Sequence, residues 1–203
     1  MKIICIGRNY SDHIKELSNE KPKEPVVFIK PDSSIIAKNQ NFIIPAFSDE
    51  IHHEVELVVK INKVGKYIDR SFSNKYYNQI GLGIDFTARD IQNMLKQKGH
   101  PWEKSKAFDN SCMVGDFINI EEIEDVSNIN FELQNNNNIV QSGNSSEMIW
   151  GIDELISHVS QYFTLKIGDL IFTGTPSGVS KVTSGDLLEG YINSKKMFSL
   201  KIK

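Results

Sequence analysis

The chain has 203 residues, with 23 Lys+Arg against 26 Asp+Glu and a formal charge of -3, a length that suits one domain, 1–203, with a real core. No block of basic residues is dense enough to track a phosphate backbone, so nucleic acid is excluded as a partner. Cys5 and Cys112 are far apart in sequence and form neither a zinc ligand set nor a disulfide framework. The opening "MKIICIGRNY" is too short an apolar run for a signal peptide, and no run approaches the ~18 residues of a membrane span. The expectation is a cytoplasmic protein without membrane attachment.

In chain order, "KIICIG" reads as a short apolar strand, followed by "RNYSDHIKELS", where Ser11 can cap a short helix. "EPVVFIKP" reads as a strand between prolines, then "SIIAK" and "FIIP" as two more short strands, and "HHEVELVVKI" as a longer one. "YNQIGLGIDF" is another apolar run whose two glycines predict close approach or a bend. "TARDIQNMLKQKG" carries a T-x-x-D capping pattern at Thr87 and Asp90 and a closing Gly99, which predicts a helix of about three turns. "NINFELQ" and "IVQSG" flank "NNNN", a hairpin turn because Asn tolerates left-handed backbone. "WGIDELISHVSQYF" places Ile152, Leu155, Ile156, Val159 and Phe163 at helical spacing, with His158 on the polar side. "DLIFTGTPSGV" is a strand entering a Gly/Pro loop, and "GDLLEGYI" with "MFSLKIK" closes the chain as paired strands. Many short strands with few helices predict a mixed, β-rich α+β fold.

Glu54 and Glu56 stand two residues apart, and the period of a strand puts both on one face, roughly 6–7 Å apart. At an effective dielectric near 20 their repulsion is about 2–3 kcal/mol. That is small on a wet face and serious on a buried one. Taken alone, the pair reads as a solvated face with Val55, Leu57, Val59 and Ile61 turned to the core. Asp85, inside the apolar "QIGLGIDFTA", has no sequence-near cation before Arg89, and a buried acid without a partner costs several kcal/mol. Three converging carboxylates would instead form an all-oxygen site for a hard divalent cation, Mg²⁺ or Mn²⁺ rather than Zn²⁺. Spacing leaves both readings open.

The segments "GRNYSDHIKE", "HHEVELVV", "GIDFTARDIQ", "GHPWEKSKAFD" and "GDLIFTGTPSGV" together resemble, in this order, the signatures of the fumarylacetoacetate hydrolase family. The likeness runs from about residue 3 to the C-terminus and is greatest to the short branch of acylpyruvate hydrolases and oxaloacetate decarboxylases. It implies a β-sandwich roll with a few short helices, a homodimer, and Mg²⁺ or Mn²⁺ held by Glu54, Glu56 and Asp85. It further implies that Lys106 stabilises a developing oxyanion or enolate, that Gln92 contacts substrate, and that Arg89 pairs with Asp85 or meets a substrate carboxylate. His13 and Glu16, spaced i, i+3 on one helical face, correspond to a water-activating pair on a lid helix. Gly174 and Thr175 of "TGTPSGV" would offer backbone N–H groups and a hydroxyl to a carboxylate. Without the resemblance, Lys106 reads as a surface lysine, the His13/Glu16 pair as a wet one, and the Gly/Pro loop as a turn.

The implied reaction is metal-assisted hydrolysis of a C–C bond in a small 2,4-diketo acid, giving pyruvate and a carboxylic acid. Two alternatives use the same enolate: decarboxylation of oxaloacetate, and isomerisation or tautomerisation of a similar keto acid. An idle scaffold has no use for this many matched polar residues.

Overall fold

The computed structural model describes residues 1–17 and 20–203. Its first half contains β1 (Ile3–Gly7), α1 (Ser11–Glu16), β2 (Val26–Lys30), β3 (Ile51–His53), β4 (Val55–Ile61), β5 (Tyr77–Asp85), β6 (Thr87–Ala88), α2 (Arg89–Gln97) and α3 (Glu103–Lys106). The second half adds β7 (Cys112–Asn119), β8 (Asn130–Asn135), β9 (Asn138–Asn144), α4 (Ile152–Tyr162), β10 (Leu170–Phe172), β11 (Ser180–Lys181), β12 (Leu187–Ile192) and β13 (Lys195–Lys201). A six-stranded sheet runs β2-β1-β10-β4-β5-β7, a four-stranded sheet β13-β12-β8-β9, and a small sheet β11-β3-β6. Strands β1 and β10 pair in parallel and the other neighbours antiparallel. The result is the expected mixed, sheet-rich α+β architecture.

The core lies between the two larger sheets. Leu57, Val59 and Leu82 from the six-stranded sheet join Leu133, Leu188 and Leu200 from the four-stranded one in a single apolar cluster. The opposite face of the six-stranded sheet carries a second cluster with Ile3, Cys5, Val58 and Phe172. Both faces of the central strands are therefore covered, which is why β4 reads as an almost unbroken aliphatic run. Glu56 shares its face with Val58, so its carboxylate enters a protein-covered side of the sheet. The glycines of β5 mark close approach, as their spacing predicts: a Cβ on Gly83 would meet Met113 O of β7 at 2.5 Å.

Several local expectations are corrected. Ser11 is the first helical residue of α1, not its cap, because the chain enters from an extended Tyr10 with no side-chain capping bond. "SIIAK" and "FIIP" form no strands; each contributes one isolated bridge, Ile35 with Cys112 and Phe42 with Ile202. Thr87 pairs in the small sheet and leaves Ala88 to precede α2. Asp90 instead accepts hydrogen bonds from Ser48 Oγ (2.6 Å) and Asp49 N (3.1 Å), so it ties the helix to a distant loop. Gly99 does close α2, at φ +64. The hairpin turns on Asn136 and Asn137, both left-handed (φ 50 and 68), the pairing a two-residue hairpin loop favours. Cys5 and Cys112 are buried and free. Among the described residues no helix is long and apolar enough to cross a membrane.

Candidate active site

The strand expected through "HHEVELVV" is interrupted at Glu54, between β3 and β4. Gln141 of β9 causes the break: its Oε1 accepts from Val55 N (3.0 Å) and meets His53 Nδ1 (2.8 Å). Its amide nitrogen donates to Thr175 Oγ1 (2.8 Å) and Pro176 O (3.0 Å). One buried amide thus fastens the acidic segment to the Gly/Pro loop. Asp85 N donates to Glu54 O at 2.8 Å, which sets the third acid beside the first two.

The acids are not on a wet face. Glu54 is 5% exposed, Glu56 2% and Asp85 0%, and one ligand oxygen from each lies within 4.8 Å of the others. Three buried carboxylates at this separation persist only with compensating positive charge. The structure supplies it through lysines and an arginine. Lys106 Nζ donates to Glu54 Oε2 (2.6 Å), Asp85 Oδ2 (2.7 Å) and Thr87 Oγ1 (2.6 Å). Arg89 pairs with the other oxygen of Glu54 and donates to Gln92 Oε1 at 2.6 Å. Lys30, wholly buried at the end of β2, stands 2.8 Å from Asp85 Oδ1 and also bonds Ser111 and the Lys106 carbonyl. Its approach to Asp85 is close enough for an ion pair but off the angle of a hydrogen bond, so Oδ1 is a buried acceptor without a donor.

These contacts correct three expectations. Arg89 pairs with Glu54, not Asp85, because α2 aims its guanidinium at the strand break. Gln92 accepts from the Arg89 guanidinium and so helps hold it in place. The Gly174 N–H is engaged by Glu56 Oε2 (2.7 Å), so in this arrangement it serves the protein's own carboxylate. Lys106 is buried, not a surface residue, and its three protons are all bound by protein oxygens. What it can offer a bound molecule is its charge.

Electrostatics separates the two glutamates. Burial pushes Glu54 up, but Lys106 and Arg89 outweigh it and hold the carboxyl well below the usual range. Glu56 lacks such partners; burial, then the charges of Asp85 and Glu54, raise it well above the ordinary value. Asp85 and Glu54 in turn raise Lys106 against the effect of its burial. A hard divalent cation fits these residues: the donors are carboxylate oxygens, one lacks a hydrogen bond, and one acid is held toward its neutral form for want of positive charge.

His13 and Glu16 meet as expected, Nδ1 to Oε2 at 3.2 Å. The carboxylate accepts from Nδ1, which assigns the proton there and leaves Nε2 free. Burial lowers the His13 pKa below its usual value. The other oxygen of Glu16 accepts from Gly178 N at 3.0 Å, anchoring α1 to the Gly/Pro loop. His13 and Leu17 then cover a cleft whose walls include the three acids, Arg89, Gln92, Lys106 and Thr175, leaving a cavity of about 30 Å³. Every residue singled out from sequence lines that cleft or, for Glu16 and Gly174, bonds a residue that does. Sequence reasoning missed Lys30 and Gln141, whose local patterns are those of an ordinary strand lysine and an ordinary hairpin glutamine.

Residues 2–200 match the family described as fumarylacetoacetate (FAA) hydrolase, C-terminal. The chain belongs to this family. Among family relatives, it is 42% identical over 188 residues to the oxaloacetate tautomerase YcgM of Escherichia coli (strain K12), covering 92% of this chain and 86% of the relative. It is also 42% identical over 189 residues to the mitochondrial oxaloacetate decarboxylase of Dictyostelium discoideum, covering 93% and 87%. The fumarylpyruvate hydrolase of Pseudomonas aeruginosa, solved with Mn²⁺ and pyruvate, superposes with a TM-score of 0.93 at 30% identity, covering 100% of this chain and 89% of that one.

Proposed function

We propose that this protein is an enzyme of small 2-keto acids that works through their enolates, with Mg²⁺ or Mn²⁺ held by Glu54, Glu56 and Asp85. The observation that carries the proposal is a neutral, carboxylate-oriented histidine facing the same cleft as a buried three-acid site. When bound, the divalent cation supplies positive charge to the oxygens of the keto acid. His13 Nε2 accepts a proton and Glu16 steadies the imidazolium that results. Lys106 adds a fixed charge where the oxyanion develops, in a site closed enough for that charge to act strongly. Arg89 and Gln92 line the wall where a substrate carboxylate is oriented.

The leading substrate is oxaloacetate, interconverted between keto and enol forms. His13 removes a proton from C3 and the 2-oxygen gains one. The support is the 42% identity to relatives named for oxaloacetate chemistry. Hydrolysis of 2,4-diketo acids to pyruvate and a carboxylic acid is the second reading, favoured by the likeness to a fumarylpyruvate hydrolase. There His13 takes its proton from water, which adds at C4, and the C3–C4 bond breaks to leave the enolate of pyruvate. The test is to follow oxaloacetate enolisation and, separately, pyruvate release from acetylpyruvate, each with Mg²⁺ and with EDTA, above the protein-free rate. Mg²⁺-dependent turnover of either compound is expected. Failure with both would sink the proposal.

A further inference from the structure

Four cations line the cleft, Arg8, Arg89, Lys96 and Lys106. Arg89 and Lys106 are paired to the acids. Arg8 and Lys96 are different: among the described residues neither is paired with a carboxylate, and Arg8 Nε is buried without a hydrogen-bond partner. Lys96 projects from α2 and holds its ammonium 5.5 Å from the centre of the Trp102 ring, an arrangement that fixes a cation without neutralising it. Arg8 stands between β1 and α1 with a left-handed backbone, φ 59. A non-glycine residue held there stores backbone strain, of the kind found where a side chain must be aimed.

Two unpaired cations beside a third in a half-dry cleft are unfavourable in the free protein. Burial, then the charges of Arg89 and Arg8, push Lys96 down to about 8. An anion seated between them relieves both the repulsion and the orphaned Nε. The acids and Lys106 line the same cleft but are bound to one another, and the keto-acid end of a substrate belongs with them. We infer that Arg8 and Lys96 form a subsite for a second carboxylate at the far end of the substrate. The site is thereby built for keto dicarboxylates in preference to keto monocarboxylates. The inference rests on the proposed function for the position of the keto-acid end.

The test is calorimetric binding of malate and of lactate to the Mg²⁺-loaded protein. Both are stable 2-hydroxy acids, and only malate carries the second carboxylate. Wild-type protein is expected to bind malate about 10-fold or more tighter than lactate, the effect of one charge-assisted contact. Lys96→Met and, independently, Arg8→Met are expected to remove most of that preference and leave lactate binding within about 2-fold, below the effect of one such contact. Equal binding of the two acids by wild type, no binding of either, or equal weakening of both in the variants would overturn the subsite. A malate preference that Lys96→Met abolishes, in a protein that turns over neither oxaloacetate nor acetylpyruvate, retains the subsite and rejects the enzymatic reading.

Discussion

At the residue scale the site is a charge balance. Glu54, Glu56 and Asp85 face Lys30, Lys106 and Arg89 inside the protein, and each cation has a distinct partner oxygen. Removing one member of a buried pair leaves the other uncompensated, at about 3–5 kcal/mol. Lys30→Met should therefore lower stability by about that amount, measured by urea unfolding; a loss under about 1 kcal/mol, the size expected of an exposed pair, would show that Lys30 is dispensable to Asp85. His13 has a different exposure to test. Burial lowers its pKa from the ordinary 6.5, so its base form predominates at pH 7 and is lost as pH falls through the depressed value. The acid limb of the rate should have its midpoint below pH 6.5. A midpoint above pH 6.5 would assign the titration to another group.

At the scale of elements, what matters is how short pieces are aimed. The helix α1 has six residues, too few to be stable alone; the contacts of buried His13 and Ile14 and the Glu16 to Gly178 bond hold it over the cleft. Glu16→Ala should cut turnover about 10-fold or more by loosening the base, and should speed amide exchange across residues 11–16 with little change in global unfolding. Unchanged exchange there would remove Glu16 as the anchor. The Gly/Pro loop is held more firmly: Gly174 is at φ +99, and a Cβ there would come 2.7 Å from the Cβ of Asn9. Gly174→Ala should cost about 1–3 kcal/mol from backbone strain and weaken metal binding through Glu56. The sequence announced these elements unevenly. Aliphatic runs and the Asn turn were legible because each is a local pattern. The break at Glu54 was not, because Gln141, 87 residues away in sequence, makes it. The capping pattern at Thr87 misled for a similar reason: pairing with β3 outweighs the local preference.

For the whole molecule, two sheets close a core and leave the cleft at one end of the adjacent strands β1, β10, β4 and β5. The acids, Lys106 and the His13/Glu16 pair were legible as a set because five separated motifs occur in one order. The second lysine of the centre was not, since Lys30 is brought to Asp85 only by the pairing of β2 at the edge of the six-stranded sheet. The raised Glu56 links the site to global stability. Its folded pKa lies above the unfolded one, so in metal-free protein its contribution is full below pH 4.5 and is lost as pH rises through the raised value. A cation displaces that proton, so the gain in melting temperature on adding Mg²⁺ should grow from pH 5 to pH 8. A pH-independent gain would place the bound ion away from Glu56.

Whether the three acids and His13 act on one molecule to make an enolate is decided by the keto–enol interconversion of oxaloacetate, followed by ultraviolet absorbance with wild type and with His13→Ala, each with Mg²⁺ and with EDTA. Acceleration over the protein-free rate is expected, abolished by EDTA and reduced by about 10²-fold or more in His13→Ala, while the Mg²⁺-induced rise in melting temperature stays the same in the variant. Acceleration that survives EDTA, or that His13→Ala leaves intact, would contradict that joint action.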